Sequence, residues 1–162
     1  MSFAFPAALL PFFQWCDNSL LSVQIRQSTY IFPVIEVVHL FGLTVLFGSI
    51  VTMDLRLLGL GLRRQPVSQL AKDISPFMWA GFWVTFVTGV LLFFSEAMKC
   101  YTNAAFPYKM AFLILAVSLS LTLHRKVTVS DNASPALRKF VACLSLFLLL
   151  GVGVGGRAIG FV

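Results

Sequence analysis

Charge is what this chain has least of. Only 11% of its 162 residues are charged, and six in all are acidic, against roughly 25% charged residues in a water-soluble domain. That scarcity excludes a disordered region and an ordinary cytosolic enzyme. Histidine is almost missing, with two residues, and cysteine stops at three. Cys16, Cys100 and Cys143 are odd in number and lack CxxC spacing, so neither a zinc site nor a disulfide framework is expected. They read as small apolar fillers. Met1–Leu10 has no basic n-region and carries Pro6, so no signal peptide is expected there. Internal repeats and low-complexity linkers are missing as well. The net charge of +6 would suit a nucleic-acid partner, but twelve basic residues on a chain that is 59% hydrophobic are better explained as membrane-topology signals.

What the chain does have is long apolar runs. A helical span needs about 20 apolar residues, so this length accommodates four spans with short loops. The runs predict spans at about 31–53, 77–95, 107–124 and 137–157. Pro33 sits in the first turn of span one, where its missing N–H does no harm. Asp54 and Arg56 close that span, and Pro76 is expected to mark the start of span two. Lys109 and Lys139 must lay their stems along the apolar surface for the last two spans to reach full length. Residues 1–29 form an outer interfacial segment in which Phe12, Phe13, Trp15, Leu20, Leu21 and Ile25 mix with Gln14, Asp17, Asn18, Gln24 and Arg26. That mixture predicts a short amphipathic helix lying on the membrane, with Asn18 or Ser19 as its cap. Residues 66–74 predict a similar one- or two-turn piece on the other side. The expected architecture is all-α: an integral-membrane four-helix bundle over 30–162 with an N-terminal interfacial amphipathic helix.

Arg56, Arg63, Arg64 and Lys72 lie between spans one and two, and Arg125, Lys126, Arg138 and Lys139 between spans three and four. The other side holds Arg26, Lys99, Lys109 and Arg157. This imbalance predicts both termini outside a bacterial cytoplasmic (inner) membrane. The partners expected are the lipid bilayer and either another membrane protein or further copies of this chain.

Ionisable groups inside a span are costly and by default mark function. Span one holds Glu36 and His39, three residues apart and so on one helix face. His39 should lie about 12 Å below the outer edge at 1.5 Å per residue. Two uses are open. Glu36 can hold His39 in one tautomer as part of a tie between helices, or His39 can be a ligand or proton carrier with Glu36 behind it. Lys109 opens span three and Arg157 closes span four, so both should join that outer level. A carboxylate, an imidazole and two cations would suit an anionic, flat or amphipathic ligand such as a porphyrin, a quinone head or a lipid phosphate. His124 should lie about 25 Å from the outer edge, too deep to share one haem with His39, and is expected at the inner interface. Asp54 is expected to be exposed and paired with an arginine. Gly151, Gly153 and Gly156 match GxGxxG without a flanking strand, so no dinucleotide site is implied. Gly151 and Gly155 fit the close-packing GxxxG pattern. Met98, Cys100 and Met110 are soft ligand types that would suit copper(I).

HLFGLTVLFGSIVTMDLRLLGLGL (39–62), FWVTFVTGVLLFFSEA (82–97), NAAFPYKMAFLILAVSLSLTLH (103–124) and GGRAIGF (155–161) together resemble a family of uncharacterised bacterial four-span proteins. More distantly, the layout is similar to CopD-type copper-resistance domains and to HemJ-like haem-binding membrane proteins. In HemJ-like proteins a first-span histidine and a third-span lysine are implicated in haem b binding, which implies a haem contact at His39 and Lys109. The chain departs from HemJ in having Leu43 to Leu46 where a tryptophan-containing segment follows the histidine, and in carrying Glu36, Asp54 and Arg157.

The leading expectation is therefore a haem b or related redox-cofactor protein. His39 would be the axial ligand, Lys109 and Arg157 the second ligand or propionate partners, and Glu36 the support behind His39. Copper binding or transport through His39 with Met98, Cys100 or Met110 is one alternative. A cofactor-free accessory subunit of a membrane complex is another. No nucleophile–base pair or phosphate loop is visible, so no enzymatic reaction is assigned.

Overall fold

The structure, a computed structural model, describes residues 5–61, 65–129 and 133–158. Arg63 and Arg64, counted above among the topology signals, lie outside the described residues, as does the end of the GGRAIGF segment. Among the described residues every regular element is helical.

After a 3-10 turn at Ala7–Leu9 come two short helices, α1 (Leu10–Asp17) and α2 (Leu20–Gln27), where one amphipathic helix was expected. Ser19 makes the break. Its Oγ accepts from the Ser22 N–H at 3.2 Å and donates to the Cys16 carbonyl at 2.8 Å, capping α2 while closing α1. Arg26 then reaches back from the last turn of α2 to the Asp17 carboxylate at 2.6 Å and the Asp17 carbonyl at 2.7 Å.

Four long helices follow. The first, α3 (Ile31–Leu58), runs past the expected end at Met53 and stops at Gly59, whose φ of 78° is the left-handed geometry that favours glycine. The Leu60 N–H donates to the Leu55 carbonyl at 3.0 Å, completing the cap. α4 (Val67–Ser95) incorporates the 66–74 segment and passes straight through Pro76. Pro76 deprives the Lys72 carbonyl of its donor, but burial of Val67 and Leu70 against Met53, Leu57, Val127, Val141 and Ala142 holds the first turns in place. The Arg56 guanidinium clamps the intervening loop by donating to the Gln65 carbonyl at 2.7 and 3.1 Å.

Short α5 (Ala97–Thr102) leads to α6 (Ala105–Leu119), which continues through a π-helical turn at Ser120–His124 into α7 (Arg125–Val129) as one rod. α8 (Pro135–Ala158) ends the described chain. The most extensive helix pairing is α3 with α4, then α6 with α8, and α3 also meets α8. Glycine lets α3 and α4 touch backbone to backbone: a Cβ on Gly81 would lie 2.7 Å from the Leu46 backbone nitrogen.

Burial concentrates at the two ends. One cluster, at the end bearing Arg56, Arg125, Lys126 and Lys139 (the basic end), is the α3–α4–α7–α8 group just described. The other, at the end bearing α1, α2 and α5, packs Phe13, Cys16, Ala97 and Cys100 with Phe93, Phe94, Tyr101 and Phe106. Between them the outward surface is apolar, with Val37, Phe41, Phe86, Val87, Ile114, Leu115, Phe147 and Leu150 all exposed. A water-soluble protein does not leave such faces bare. Four helices are long and apolar enough to cross a membrane, and the chain is an all-α, multi-pass membrane protein.

Candidate functional site

His39 lies in α3 and leans on α4. Its Nδ1 is 2.9 Å from the Thr88 Oγ1. A threonine hydroxyl has a single proton, and Thr88 gives its own to backbone carbonyls, Val84 at 2.6 Å and Thr85 at 3.3 Å. With that proton directed to the nearer carbonyl, Val84, Thr88 accepts from a His39 Nδ1–H. In a neutral imidazole this places the lone pair on Nε2, the arrangement found in metal-ligating histidines, whose second nitrogen donates to a fixed acceptor. Gly89 makes the contact possible, because a Cβ there would lie 3.2 Å from His39 Cε1.

Lys109 comes to the same end from α6. Its stem lies against α8, where a Cβ on Gly155 would sit 3.1 Å from Lys109 Cβ and one on Gly156 would sit 3.8 Å from Nζ. Its charge acts on both His39 and Cys100. Among the described residues no hydrogen bond or ion pair involves the Lys109 ammonium. Arg157, two residues beyond Gly155, is exposed at this end. The structure thus places His39, Lys109 and Arg157 toward one end of the bundle, with Lys109 close enough for its charge to act on His39, while Glu36 takes no part in the His39 contact. That carboxylate is exposed and, among the described residues, has no hydrogen-bond or ion-pair partner. Thr88 occupies the supporting position expected of Glu36. The signal for it was present in TFVTG (85–89), a pair of hydroxyls inside an apolar run.

The soft-ligand candidates sit differently. Cys100 is buried with Phe13, Cys16 and Ala97, and Met98 packs on that cluster; Met110 is half-buried in α6. Burial, with the Glu96 carboxylate adding to it, pushes the Cys100 thiol up to about 11, so it is a protonated thiol at neutral pH and must lose its proton to bind a metal. Among the described residues no group of three or more His, Cys, Asp or Glu side chains is placed to hold a metal ion.

At the basic end the structure corrects two expectations. Asp54 is neither exposed nor paired with an arginine: it is fully buried, and its Oδ1 lies 2.9 Å from His124 Nε2. His124 is itself buried, at 8% exposure. Two local facts explain this. α3 continues for another turn beyond Met53, so Asp54 stands inside the bundle and not at its rim. The π turn that ends at His124 widens the helix locally and re-aims the imidazole. Fifteen residues separate His39 from Asp54 along α3, about 22 Å at 1.5 Å per residue, so the two histidines belong to separate sites.

A shallow groove between α3 and α4, lined by Thr44, Gly48, Ser49, Thr52, Ile74 and Phe77, lies between these ends. Its hydroxyls are spent on their own helix: Thr44 donates to Leu40, Ser49 to Val45 and Thr52 to Gly48. Its walls are thus chemically bland.

Fold and sites together define a four-span helical membrane protein with one histidine-centred polar cluster near each end. The chain belongs to DUF6644, a family of unknown function, which it matches over residues 12–162. No curated protein and no solved structure matches it, so the likeness to CopD-type and HemJ-like proteins rests on the quoted residues alone.

Proposed function

We propose that the His39 site binds haem b or a similar planar redox cofactor, which His39 would hold through Nε2. The observation that carries this reading is the Thr88 hydroxyl, 2.9 Å from His39 Nδ1 and 2.6 Å from the Val84 carbonyl, an arrangement suited to an Nδ1–H donor with the lone pair left on Nε2. Lys109, a half-buried cation beside His39 with no ion pair among the described residues, is suited to a propionate or to a second ligand position. Arg157 offers a further cation at the same level. Such a cofactor would supply one-electron chemistry, while this chain binds and orients it and excludes water with the apolar faces of α3 and α4. The resemblance to HemJ-like proteins drawn from the sequence would point the same way. The basic residues favour a bacterial inner membrane with the His39 site on the outer side.

The test is the visible spectrum of the detergent-purified protein. A Soret band that disappears in His39→Ala and persists in His124→Gln is the expected result. A stable, folded and colourless protein that takes up no added haem overturns the proposal.

A further inference from the structure

The buried pair at the basic end plays no part in the His39 reading. Asp54 is fully enclosed, and among the described residues its only hydrogen-bond partner is His124. Its second oxygen, Oδ2, is buried with no hydrogen-bond partner among those residues. A carboxyl so placed has given up water at both oxygens and regained a partner at one. The surrounding charges give it little relief. On α3, Arg56 is committed to the Gln65 carbonyl. On α4, Lys72 and Asp73 are exposed; on α7, Arg125 and Lys126 are exposed. On α8, Lys139 is exposed and Arg138 is half-buried, with an interaction of its own. Among the described residues, Asp54 thus has the imidazole as its sole direct source of a proton.

We propose that Asp54 and His124 form a proton-binding site, loaded through the imidazole and stored on the carboxyl. The imidazole is the part that reaches the surface: its side chain is 10% exposed, while that of Asp54 is 0% exposed. In the unloaded state a neutral His124 donates its Nε2–H to the Asp54 carboxylate, and the pair carries one negative charge. A proton arriving from water binds Nδ1. The Nε2 proton then passes across the 2.9 Å hydrogen bond to Oδ1, leaving a neutral imidazole and a neutral carboxylic acid. One N–H forms, another breaks, one O–H forms, and the charge rises from minus one to zero. An unpartnered Oδ2 fits the loaded form, since the carbonyl oxygen of a neutral acid tolerates burial far better than the oxygen of an anion. The π turn belongs to the same device, because it aims the ring at Asp54, and such turns recur at functional positions.

The experiment is read on the unaltered full-length protein in lipid bilayers. Infrared spectra with isotope-labelled aspartate are recorded as pH is varied, alongside nitrogen NMR of the two histidines. The expected result is a carboxylic-acid carbonyl band that grows as pH falls, shifts in heavy water and vanishes in Asp54→Asn. His124 should change from its Nε2–H to its Nδ1–H form over the same interval. His39→Ala should leave both signals in place. If Asp54 stays a carboxylate at every pH where the protein is folded, with the His124 ring either neutral or charged, the proposal is overturned. Should Asp54→Asn fail to fold, the His124 tautomer in the unaltered protein still decides.

Discussion

Replacing His124 with leucine should be among the most damaging single substitutions in this protein. It removes the one partner that a fully buried Asp54 has among the described residues, where its other oxygen has none. Breaking a buried pair from one side costs about 3–5 kcal/mol, whereas an ordinary hydrogen bond between membrane helices averages about 0.6 and reaches about 1.7 kcal/mol. Because Asp54 is fully buried and adjoins Met53 of the apolar cluster at this end, the larger range applies, and a loss of about 3 kcal/mol, some hundredfold in the folding equilibrium, is expected. Asp54→Val should be milder, at about 1–2 kcal/mol, because it strands a neutral ring with some access to water. The double variant should return to within about 1 kcal/mol of the parent, since neither charge nor orphan is left behind. Reversible unfolding in mixed micelles, run as a four-member cycle, measures the coupling. A coupling energy within the roughly 0.5 kcal/mol seen for independent sites would refute the reasoning, because the two side chains would then not depend on one another.

Other expectations follow from particular contacts. Gly81→Ala should lower thermal stability by about 1–3 kcal/mol through overpacking, because its methyl would meet the Leu46 backbone, while Gly48→Ala, with open space around it, should melt with the parent. If His39 holds a cofactor, Thr88→Val should weaken binding about 10- to 100-fold in haem titrations, and Thr88→Ser should restore it; equal affinities in all three would remove Thr88 from the site. Cys100 also implies a pH dependence. Its thiol is raised in the folded state from 9.0 to about 11, so the fold holds that proton more tightly than the unfolded chain. Its stabilising contribution is complete below pH 9.0 and is lost as pH rises through about 11. Stability that rises over that interval in comparison with Cys100→Ala would contradict the assignment.

The four spans could be read from the chain because apolar run length is a local property, and the structure lengthens them without changing their number. The errors fell where tertiary contact overrides local signals. Pro76 looked like a helix start, yet Val67 and Leu70 are held by side chains from α3, α7 and α8, so the helix persists on both sides of the proline. Asp54 beside Arg56 looked like a terminal ion pair, yet α3 does not end there. Glu36 was chosen as the partner of His39 because three residues place it on the same helix face, whereas the partner that forms is Thr88, forty-nine residues away on α4.

The sequence by itself therefore determined that this protein lives in a membrane, that it crosses four times, and that His39 and Lys109 rank among the few polar groups with no topological duty. These follow from hydrophobic free energy, which accumulates along a run of residues and needs no knowledge of what packs against it. Only the tertiary structure decided which polar groups meet. The His39–Thr88 and Asp54–His124 pairs depend on how two helices cross and on the rotation of each about its axis. Those quantities are set by glycine contacts such as Gly81 on Leu46 and by a single π turn. Neither leaves a periodic trace in the chain.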